Sequence, residues 1–214
     1  MVDRLQYDQL LSCRACVRLA RHLDGLRKQF PDYHCAPVAA WGSPRSRLLI
    51  VGLAPGMHGA NRTGRPFTGD ASGCFLFDGL HRVGLVSDSV PARSRLRGIR
   101  ITNAVRCLPP ANRPNMAEVR QCSAYLKHEL DQLWRPGMRR PRCVLALGRL
   151  AHEALGIALQ SSLPAFSHGA AHEVAPALWV VSMYHPSRQN TNTGRLTVAM
   201  RDRVLDQVVA LLGT

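Results

Sequence analysis

The sequence predicts an α/β fold of three layers, in which a central parallel sheet of four strands lies between two layers of helices. Four short runs are rich in Val, Ile and Leu, and the segments between them carry apolar residues at helical spacing. Buried strands that alternate with helices are typical of a parallel sheet covered on both faces. With 214 residues and 46% hydrophobic content, the chain can bury a core as one compact domain over 1–214.

The elements follow one another along the chain at the spacing of this fold. The four apolar runs predict strands at 47–55, 98–105, 142–148 and 177–186. Apolar residues that recur at helical intervals predict helices near 76–83, 116–134, 150–159 and 196–212. The segment 160–176 has no strong pattern, and we predict a loop with a weak hairpin strand there.

Distinctive segments follow the four predicted strands, at the edge where open α/β sheets bind ligands. They read GLAPGMHGANRTGRPFTGDASG (52–73), RCLPPANRPN (106–115), GRLAHEAL (148–155) and YHPSRQNTNTG (184–194). A glycine-rich turn after a strand is a weak signal, because phosphate-binding loops begin in the same way. This turn has neither the G-K-[ST] of a P-loop nor a G-x-G-x-x-G pattern, and the chain shows no paired metal-binding carboxylates. A nucleotide-dependent transferase is therefore disfavoured.

The charge of the chain is strongly basic, and almost all of it is arginine. The formal net charge is +14, and Lys28 and Lys127 are the only lysines among 28 basic residues. Arginine binds phosphate through a planar fork, so the charge predicts a nucleic acid as partner, with an anionic membrane surface as the weaker alternative. No stretch approaches the roughly 18 apolar residues of a membrane span, and the N-terminal sequence MVDRLQYDQL has no apolar signal core. We therefore expect a cytoplasmic, nucleoid-associated protein, with a monomer as the default state.

Seven cysteines without an export signal indicate metal ligands or buried thiols rather than disulfides. Cys13 and Cys16 form a C-x2-C pair in the N-terminal segment 1–40, while Cys107 and Cys122 bracket the proline-rich turn after the second strand. Two close and two distant ligands suit a tetrathiolate site, and the C-x14-C spacing favours an iron–sulfur cluster over zinc. Four unrelated buried thiols are the alternative. Three cysteines remain: Cys35, which could replace one of the four as a ligand, Cys74 and Cys143.

Three segments resemble the motifs of the uracil-DNA glycosylase superfamily. The strand that ends in G-x-x-P-G at 52–56 is similar to the first active-site motif, and its continuation NRTGRPFTGDASG (61–73) resembles the family 5 branch. The segment MYHPSRQNTNTGRLT (183–197) resembles the second motif, H-P-S followed by a short loop and T-G. The segment ITNAVRCLPPANRPN (101–115) is similar to one shared by the iron–sulfur branches, families 4 and 5. The resemblance covers residues 13 to about 197 in the expected order.

The resemblance implies a uracil-DNA glycosylase-like fold, a cofactor and a set of site residues. Asp70 would orient the attacking water or face the sugar cation, His185 would stabilise the departing base, and Asn112 would assist the water. Asn103 would read the base and Phe67 would stack on it. The remaining substrate-binding positions are Arg188 and the backbone of Gly52, Ala54, Pro55 and Gly56. The cofactor implied by the family is a [4Fe-4S] cluster on Cys13, Cys16, Cys107 and Cys122.

Each of these side chains also has a simpler structural interpretation. Asp70 could only cap the following helix, and His185, which precedes a proline, could belong to a turn. Asn103 could bond only a neighbouring loop. Phe67 could be an ordinary core residue and Asn112 an ordinary turn residue.

The resemblance implies a DNA glycosylase that hydrolyses the N-glycosidic bond of uracil, and of hypoxanthine or other deaminated or damaged bases, in DNA. Cleavage creates positive charge on the sugar and negative charge on the base, so one acid and one imidazole can stabilise both. Many superfamily members have a carboxylate or amide where this chain has Leu53 and Ala54, although its absence is typical of family 5. That absence favours the alternative, a non-catalytic module that binds damaged or single-stranded DNA and has a structural metal site.

Arginines at the predicted ligand edge complete the electrostatic prediction. They would hold phosphates beside an extruded nucleotide. For any single arginine, a solvated surface charge is the simpler interpretation. These arginines are Arg62, Arg65, Arg106, Arg113, Arg188 and Arg195.

Overall fold

The computed structural model describes residues 9–213 and shows a mixed sheet of six strands between two layers of helices. The strands lie in the order β1-β3-β2-β4-β6-β5. The four central strands are parallel, as predicted, and β1 and β5 are antiparallel strands at the two edges. The strands are β1 Trp41–Gly42, β2 Leu48–Gly52, β3 Ile99–Asn103, β4 Arg142–Leu147, β5 Ala171–Ala175 and β6 Leu178–Met183.

Four of the α-helices within residues 9–213 begin after a side chain that accepts a hydrogen bond from one of their free N–H groups. Asn115 and Glu118 form a reciprocal capping box at the start of α4, and the Thr197 hydroxyl accepts from the Met200 N–H at the start of α7. The helices are α1 Val17–Gln29, α2 Ala60–Thr63, α3 Ala71–Arg82, α4 Met116–Leu133, α5 Arg149–Leu159, α6 Arg188–Asn192 and α7 Val198–Leu212.

The sheet buries both of its faces, which explains why its strands are continuously apolar. In β2, Leu48 and Ile50 pack into a core with α3 and α7, whereas Leu49 and Val51 pack into a second core with α1, α4 and α5. Successive side chains of a strand point to opposite faces, so a strand between two helix layers needs apolar residues at every position. This arrangement gives the three layers that the sequence predicts.

A buried arginine joins the two helices of the first core. Arg201 on α7 is 2% exposed, lies 2.9 Å from the Asp78 carboxylate and donates to the Phe75 carbonyl at 2.6 Å. Both partners are on α3. The contact therefore fixes α3 against α7, and α3 begins directly after Asp70.

The strands of the structure are shorter than the predicted ones, and the sheet has one further strand at each edge. The predicted strand 177–186 ends at Met183, so Tyr184 and His185 already belong to a loop. The weak hairpin strand expected within 160–176 is β5. The two-residue β1 was not predicted, because two residues carry no periodicity.

Two further findings concern the N-terminal part of the chain and the membrane. The predicted cluster-binding segment 1–40 is described only from residue 9, because residues 1–8 lie outside the described part of the chain. Within residues 9–213, no helix combines the length and apolarity needed to cross a membrane.

Candidate active site and cysteine site

A cleft of about 580 Å³ opens at the carboxyl ends of the parallel strands. In the sheet register Gly52 of β2 lies beside Asn103 of β3, so the loops that follow these strands meet at one edge. The loop after β6 closes the other side of the cleft. The predicted site residues that line the cleft are Ala54, Pro55, Gly56, Phe67, Asp70, Asn103, Asn112, His185 and Arg188.

The two carboxylate oxygens of Asp70 have different surroundings. Oδ1 accepts from the Gly73 N–H at 2.9 Å and caps α3, as the simpler interpretation predicted. Oδ2 faces the turn of Gly56 and Gly59: a Cβ on Gly56 would lie 3.3 Å from it, and one on Gly59 would overlap it. The cap holds the carboxylate in place while the second oxygen remains available at the cleft.

His185 enters the cleft from the loop after β6. Its ring centroid lies 6.2 Å from that of Phe67, and a Cβ on Gly148 would approach the His185 Cβ to 3.1 Å. The Asn190 amide donates to the His185 carbonyl at 2.8 Å, which ties this residue to α6. Burial lowers the pKa of His185, and the negative charge of Asp70 partly opposes that shift. The imidazole is therefore neutral at physiological pH, with an N–H available as a donor.

Asn103 and Phe67 form the inner wall of the cleft, and Gly52 makes room for both. A Cβ on Gly52 would lie 2.5 Å from Asn103 Oδ1 and 2.8 Å from Phe67 Cζ. Gly52 itself supports this wall from behind and is absent from the cleft lining. Asn103 is 4% exposed, yet within residues 9–213 its side-chain amide has no hydrogen-bond partner. Because Asn103 lines the cleft, its unbonded amide is available to a group that enters there.

Left-handed backbone at two places shapes the rim of this cleft. Phe67 has φ 51°, and Ala111 and Asn112 have φ 53° and 55°. Such conformations are uncommon for residues other than glycine and cost free energy, so the surrounding structure must hold them. In Phe67 the conformation turns the ring inward, and in Asn112 it bends the proline-rich loop towards the cleft.

The cleft also includes residues that sequence reasoning missed. His58 lies on its rim, and the Tyr33 hydroxyl is 3.0 Å from His58 Nδ1. Gly59, Ser72 and Ser187 line the cleft as well. The sequence signal for His58 is the G-M-H-G segment at 56–59. A histidine between two glycines of a ligand-binding loop is expected to be exposed at the cleft.

The arginines of the ligand edge do not share one role, and the prediction for Arg106 was wrong. Arg106 is 1% exposed and lies 2.8 Å from the Glu129 carboxylate, so it cannot bind phosphate. Its guanidinium also donates to the Thr102 hydroxyl. Arg62 donates to the Gly69 carbonyl at 3.0 Å and braces the first loop, whereas Arg188 is exposed at the rim of the cleft.

The four predicted cysteine ligands lie together around a separate cavity of about 190 Å³. Cys13 and Cys16 precede α1, Cys107 follows β3, and Cys122 is on α4, where its sulfur accepts from the Arg106 N–H at 3.4 Å. The four thiols therefore share one cavity, as the prediction of a common ligand site requires. Cys35 is absent from this cavity and instead accepts from the Asn61 amide, so it does not compete for a place.

The four cysteine thiols line a cavity and do not converge on one position that a single metal ion could occupy. Among residues 9–213, no three His, Cys, Asp or Glu side chains are close enough to hold a single metal ion. Burial, together with a smaller contribution from the neighbouring cysteines, raises the pKa of Cys16 to about 11 and that of Cys107 to about 12. A group of thiolates here would need a positively charged partner.

Comparisons with known proteins agree with this geometry. The family model described as "Uracil DNA glycosylase superfamily" matches residues 39–209. A Type-5 uracil-DNA glycosylase of Thermus thermophilus is 44% identical over 223 residues, which cover 99% of this chain and 100% of the relative. A Type-5 uracil-DNA glycosylase of Mycobacterium bovis is 46% identical, over 94% of this chain and 78% of the relative. One of Pyrobaculum aerophilum is 41% identical, over 96% and 92%.

The family model and the individual relatives lead to the same assignment. The family model spans most of the chain, and the Type-5 relatives align along nearly all of it. The resemblance of the three motifs is therefore confirmed, and this chain belongs to family 5 of the uracil-DNA glycosylase superfamily.

Proposed function

We propose that this protein hydrolyses the N-glycosidic bond of uracil in DNA and so initiates base excision repair. The observation that carries the proposal is one cleft in which Asp70 and His185 approach each other beside Asn103 and Phe67. The curated relatives are named as uracil-DNA glycosylases, which supports the same activity. A binding module without catalysis is not favoured.

The inner wall would hold the extruded base. The Asn103 amide offers one donor and one acceptor on a rigid strand end, which matches the hydrogen-bonding edge of uracil. Phe67 offers an aromatic face, and base–aromatic stacking stabilises a flipped nucleotide without regard to its identity. Hypoxanthine and other deaminated bases share a planar face and a carbonyl beside an N–H, so they are candidate substrates for the same wall.

His185 would stabilise the departing base. As the glycosidic bond breaks, negative charge develops on the uracil oxygens, and a fixed N–H donor aimed at that charge lowers the barrier. A neutral imidazole is sufficient for this role, and burial keeps His185 neutral. The proton stays on the imidazole, so no acid–base transfer is needed in this step.

Asp70 would act on the sugar side. Its Oδ1 is engaged by the cap of α3, which leaves Oδ2 to face the positive charge of the sugar or to orient the attacking water. A single carboxylate serves this purpose, because the water adds to an already electron-poor carbon and the proton that it loses passes by way of Asp70 to the uracil anion. Asn112, on the opposite rim, would hold the water in line.

The four cysteines fit a [4Fe-4S] cluster better than a single zinc ion. A tetrahedral zinc ion draws its four sulfurs to about 2.3 Å from one point, whereas a cubane cluster takes one thiolate at each of four iron corners. The four thiols instead line a cavity, with no three close enough for one ion within residues 9–213. When bound, the cluster would supply a cationic core that joins the α1 segment to β3 and α4, away from the cleft.

Further parts of the proposal concern the setting of the reaction. DNA is the partner, and the basic charge of the chain supports binding to its backbone. Both apolar cores pack on the same sheet, which supports a single domain over 1–214. We also propose a monomer that acts on DNA in the cytoplasm, at the nucleoid.

Release of uracil from a uracil-containing duplex, followed by alkali cleavage of the product, tests the proposal. We expect the Asp70→Asn and His185→Ala variants to lose about 10²- to 10⁴-fold in rate, because each removes a group that acts in the transition state. Asp32→Asn and His81→Ala are matched controls on the exposed surface and should keep the parent rate. Tight binding by the parent protein without any strand cleavage would leave only a binding module.

A further inference from the structure

Two arginines beside the cleft each lie over an aromatic ring. The Arg65 guanidinium lies 4.6 Å from the centroid of Trp41, and the Arg195 guanidinium lies 4.9 Å from the centroid of Tyr184. Both rings are themselves supported from other directions. Trp41 stacks on Phe77 at 5.5 Å and 9°, so the platform beneath Arg65 is anchored in the core.

The platform beneath Arg195 is built in the same way. His168 stacks on Tyr184 with ring centroids 4.8 Å apart and 8° between their planes. The His168 ring also accepts from the Tyr184 N–H at 3.1 Å, which fixes the tyrosine relative to the loop before β5. Two unrelated parts of the chain thus present a guanidinium on a supported ring.

Neither guanidinium has a carboxylate partner in the described part of the chain, residues 9–213. Two other arginines are already engaged: Arg82 pairs with Asp202 and Asp206, and Arg62 bonds the Gly69 carbonyl. Stacking occupies only the face of a guanidinium and leaves the N–H groups at its edge free. A fork that is held in place and not yet bonded is suited to a phosphate, because less side-chain entropy is lost on binding.

The two arginines lie on opposite sides of the cleft. Arg65 is in the loop that carries Phe67 and Asp70, above β1 at one edge of the sheet, whereas Tyr184 directly precedes His185 after β6. Four strand-to-strand steps separate β1 from β6, which corresponds to roughly 19 Å. That distance is the rise of about five or six base pairs of B-form DNA. One duplex could therefore contact both arginines while a base between them enters the cleft.

We infer that Arg65 and Arg195, held on Trp41 and Tyr184, are two fixed clamps for the DNA backbone on either side of the cleft. The inference rests on the proposed function in taking DNA as the substrate. It assigns two of the contacts with the DNA backbone to these positions, whereas Arg106 is buried and Arg62 braces its own loop.

Equilibrium binding to a uracil-free duplex at several salt concentrations tests the inference. The logarithm of the binding constant falls with the logarithm of salt by about 0.9 for each phosphate contact. We expect Arg65→Gln and Arg195→Gln each to make this slope shallower by about 0.9, and the double variant by about 1.8. The matched control is Arg97→Gln, an exposed arginine at the amino end of β3, which should leave the slope unchanged.

Lysine substitutions distinguish the effect of the positive charge from that of the planar guanidinium, because lysine keeps only the charge. Arg65→Lys and Arg195→Lys should keep the slope of the parent but bind several-fold more weakly, because lysine has no planar fork to lie on the ring. Slopes of the glutamine variants equal to that of Arg97→Gln, or lysine variants as tight as the parent, would overturn the inference. Uracil release is measured in parallel, so a parent protein that shows the clamp effect without cleavage would refute the proposed function alone.

Discussion

The cleft and the cysteine site lie at the same end of β3, yet they hold their side chains in different ways. The cleft is shaped by backbone: Gly52 and Gly59 allow close approach, and Phe67 has a left-handed conformation. The cysteine side is held by buried charge, with Arg106 and Glu129 paired 2.8 Å apart and nearly excluded from solvent.

This difference has a consequence for substitution. A backbone that approaches a carboxylate too closely for a Cβ can accept another residue only if that carboxylate moves, because every other side chain begins with that atom. A buried ion pair can in principle be replaced by apolar groups of similar volume, and only removal of one partner is severely destabilising. Backbone packing therefore fixes the chemistry of the cleft, whereas charge fixes the placement of α4 on β3.

The largest effect should come from breaking the buried pair. Arg106→Met leaves the Glu129 carboxylate in the core, and we expect a loss of about 3 kcal/mol in the free energy of unfolding. This is the lower end of the usual range, because Arg100 remains 3.9 Å from Glu129. The corresponding fall in melting temperature is roughly 10 °C for a chain of this size. Thermal and urea unfolding measure it.

A double variant and a surface pair serve as controls for this loss. Arg106→Met combined with Glu129→Leu removes both charges and should recover most of the stability. Lys127→Met breaks an exposed pair with Asp131 and should cost less than about 0.5 kcal/mol. Equal losses in the single and double variants would show that packing, and not charge, holds this region.

The second-largest effect is expected on the rate of uracil release, from a substitution at Gly59 in the cleft. Gly59→Ala would place a Cβ against the Asp70 carboxylate, so the carboxylate must move. A displacement of about 1 Å at a catalytic group costs on the order of 100-fold in rate, and we expect a loss of that size in uracil release. The rate of release from a uracil-containing duplex measures it, together with the melting temperature.

Gly25→Ala is the matched control for Gly59→Ala. Gly25 lies within α1, and nothing is within 4 Å of a Cβ built there. Alanine is the better helix former, so we expect a gain of about 0.5–1 kcal/mol in stability and an unchanged rate. A Gly59→Ala protein with the parent rate would mean that Asp70 does not need its observed position.

The sequence predicts the parallel core and the cleft well, and fails where a partner is distant in the chain. The strand Leu48–Gly52 can be predicted from the sequence, because a strand with helices on both faces of its sheet must be apolar at every position. Arg106 looked like a phosphate ligand because its partner Glu129 lies on another element and burial of an arginine depends on that partner. The left-handed Phe67 could not be predicted either, since the strain is sustained by tertiary packing around it. The sequence offers helix capping and a position in the active site as alternatives for Asp70, and the structure is compatible with both at once.

The smallest effect is in the pH dependence, and it tests how the cleft tunes His185. Burial lowers the pKa of His185 below the usual value of about 6.5, and the Asp70 charge partly opposes this. If a neutral imidazole is the active form, kcat/KM falls on acidification only below about 6.5, as the ring takes up a proton. The linked stability has the same sign: the unfolded chain binds that proton first, so folding is destabilised as the pH falls through about 6.5.

Removing the carboxylate sharpens this test. In Asp70→Asn the opposing charge is lost, so the His185 pKa should fall further and the acid limb of the residual activity should move to lower pH. Ring NMR titration of His185 gives the pKa directly, independent of rate. His22→Gln is the control: burial also lowers the pKa of His22, but it lies on α1 and its removal should leave the acid limb of activity in place. Activity that instead falls as the pH rises through the His185 pKa would show that the protonated imidazole is the active form.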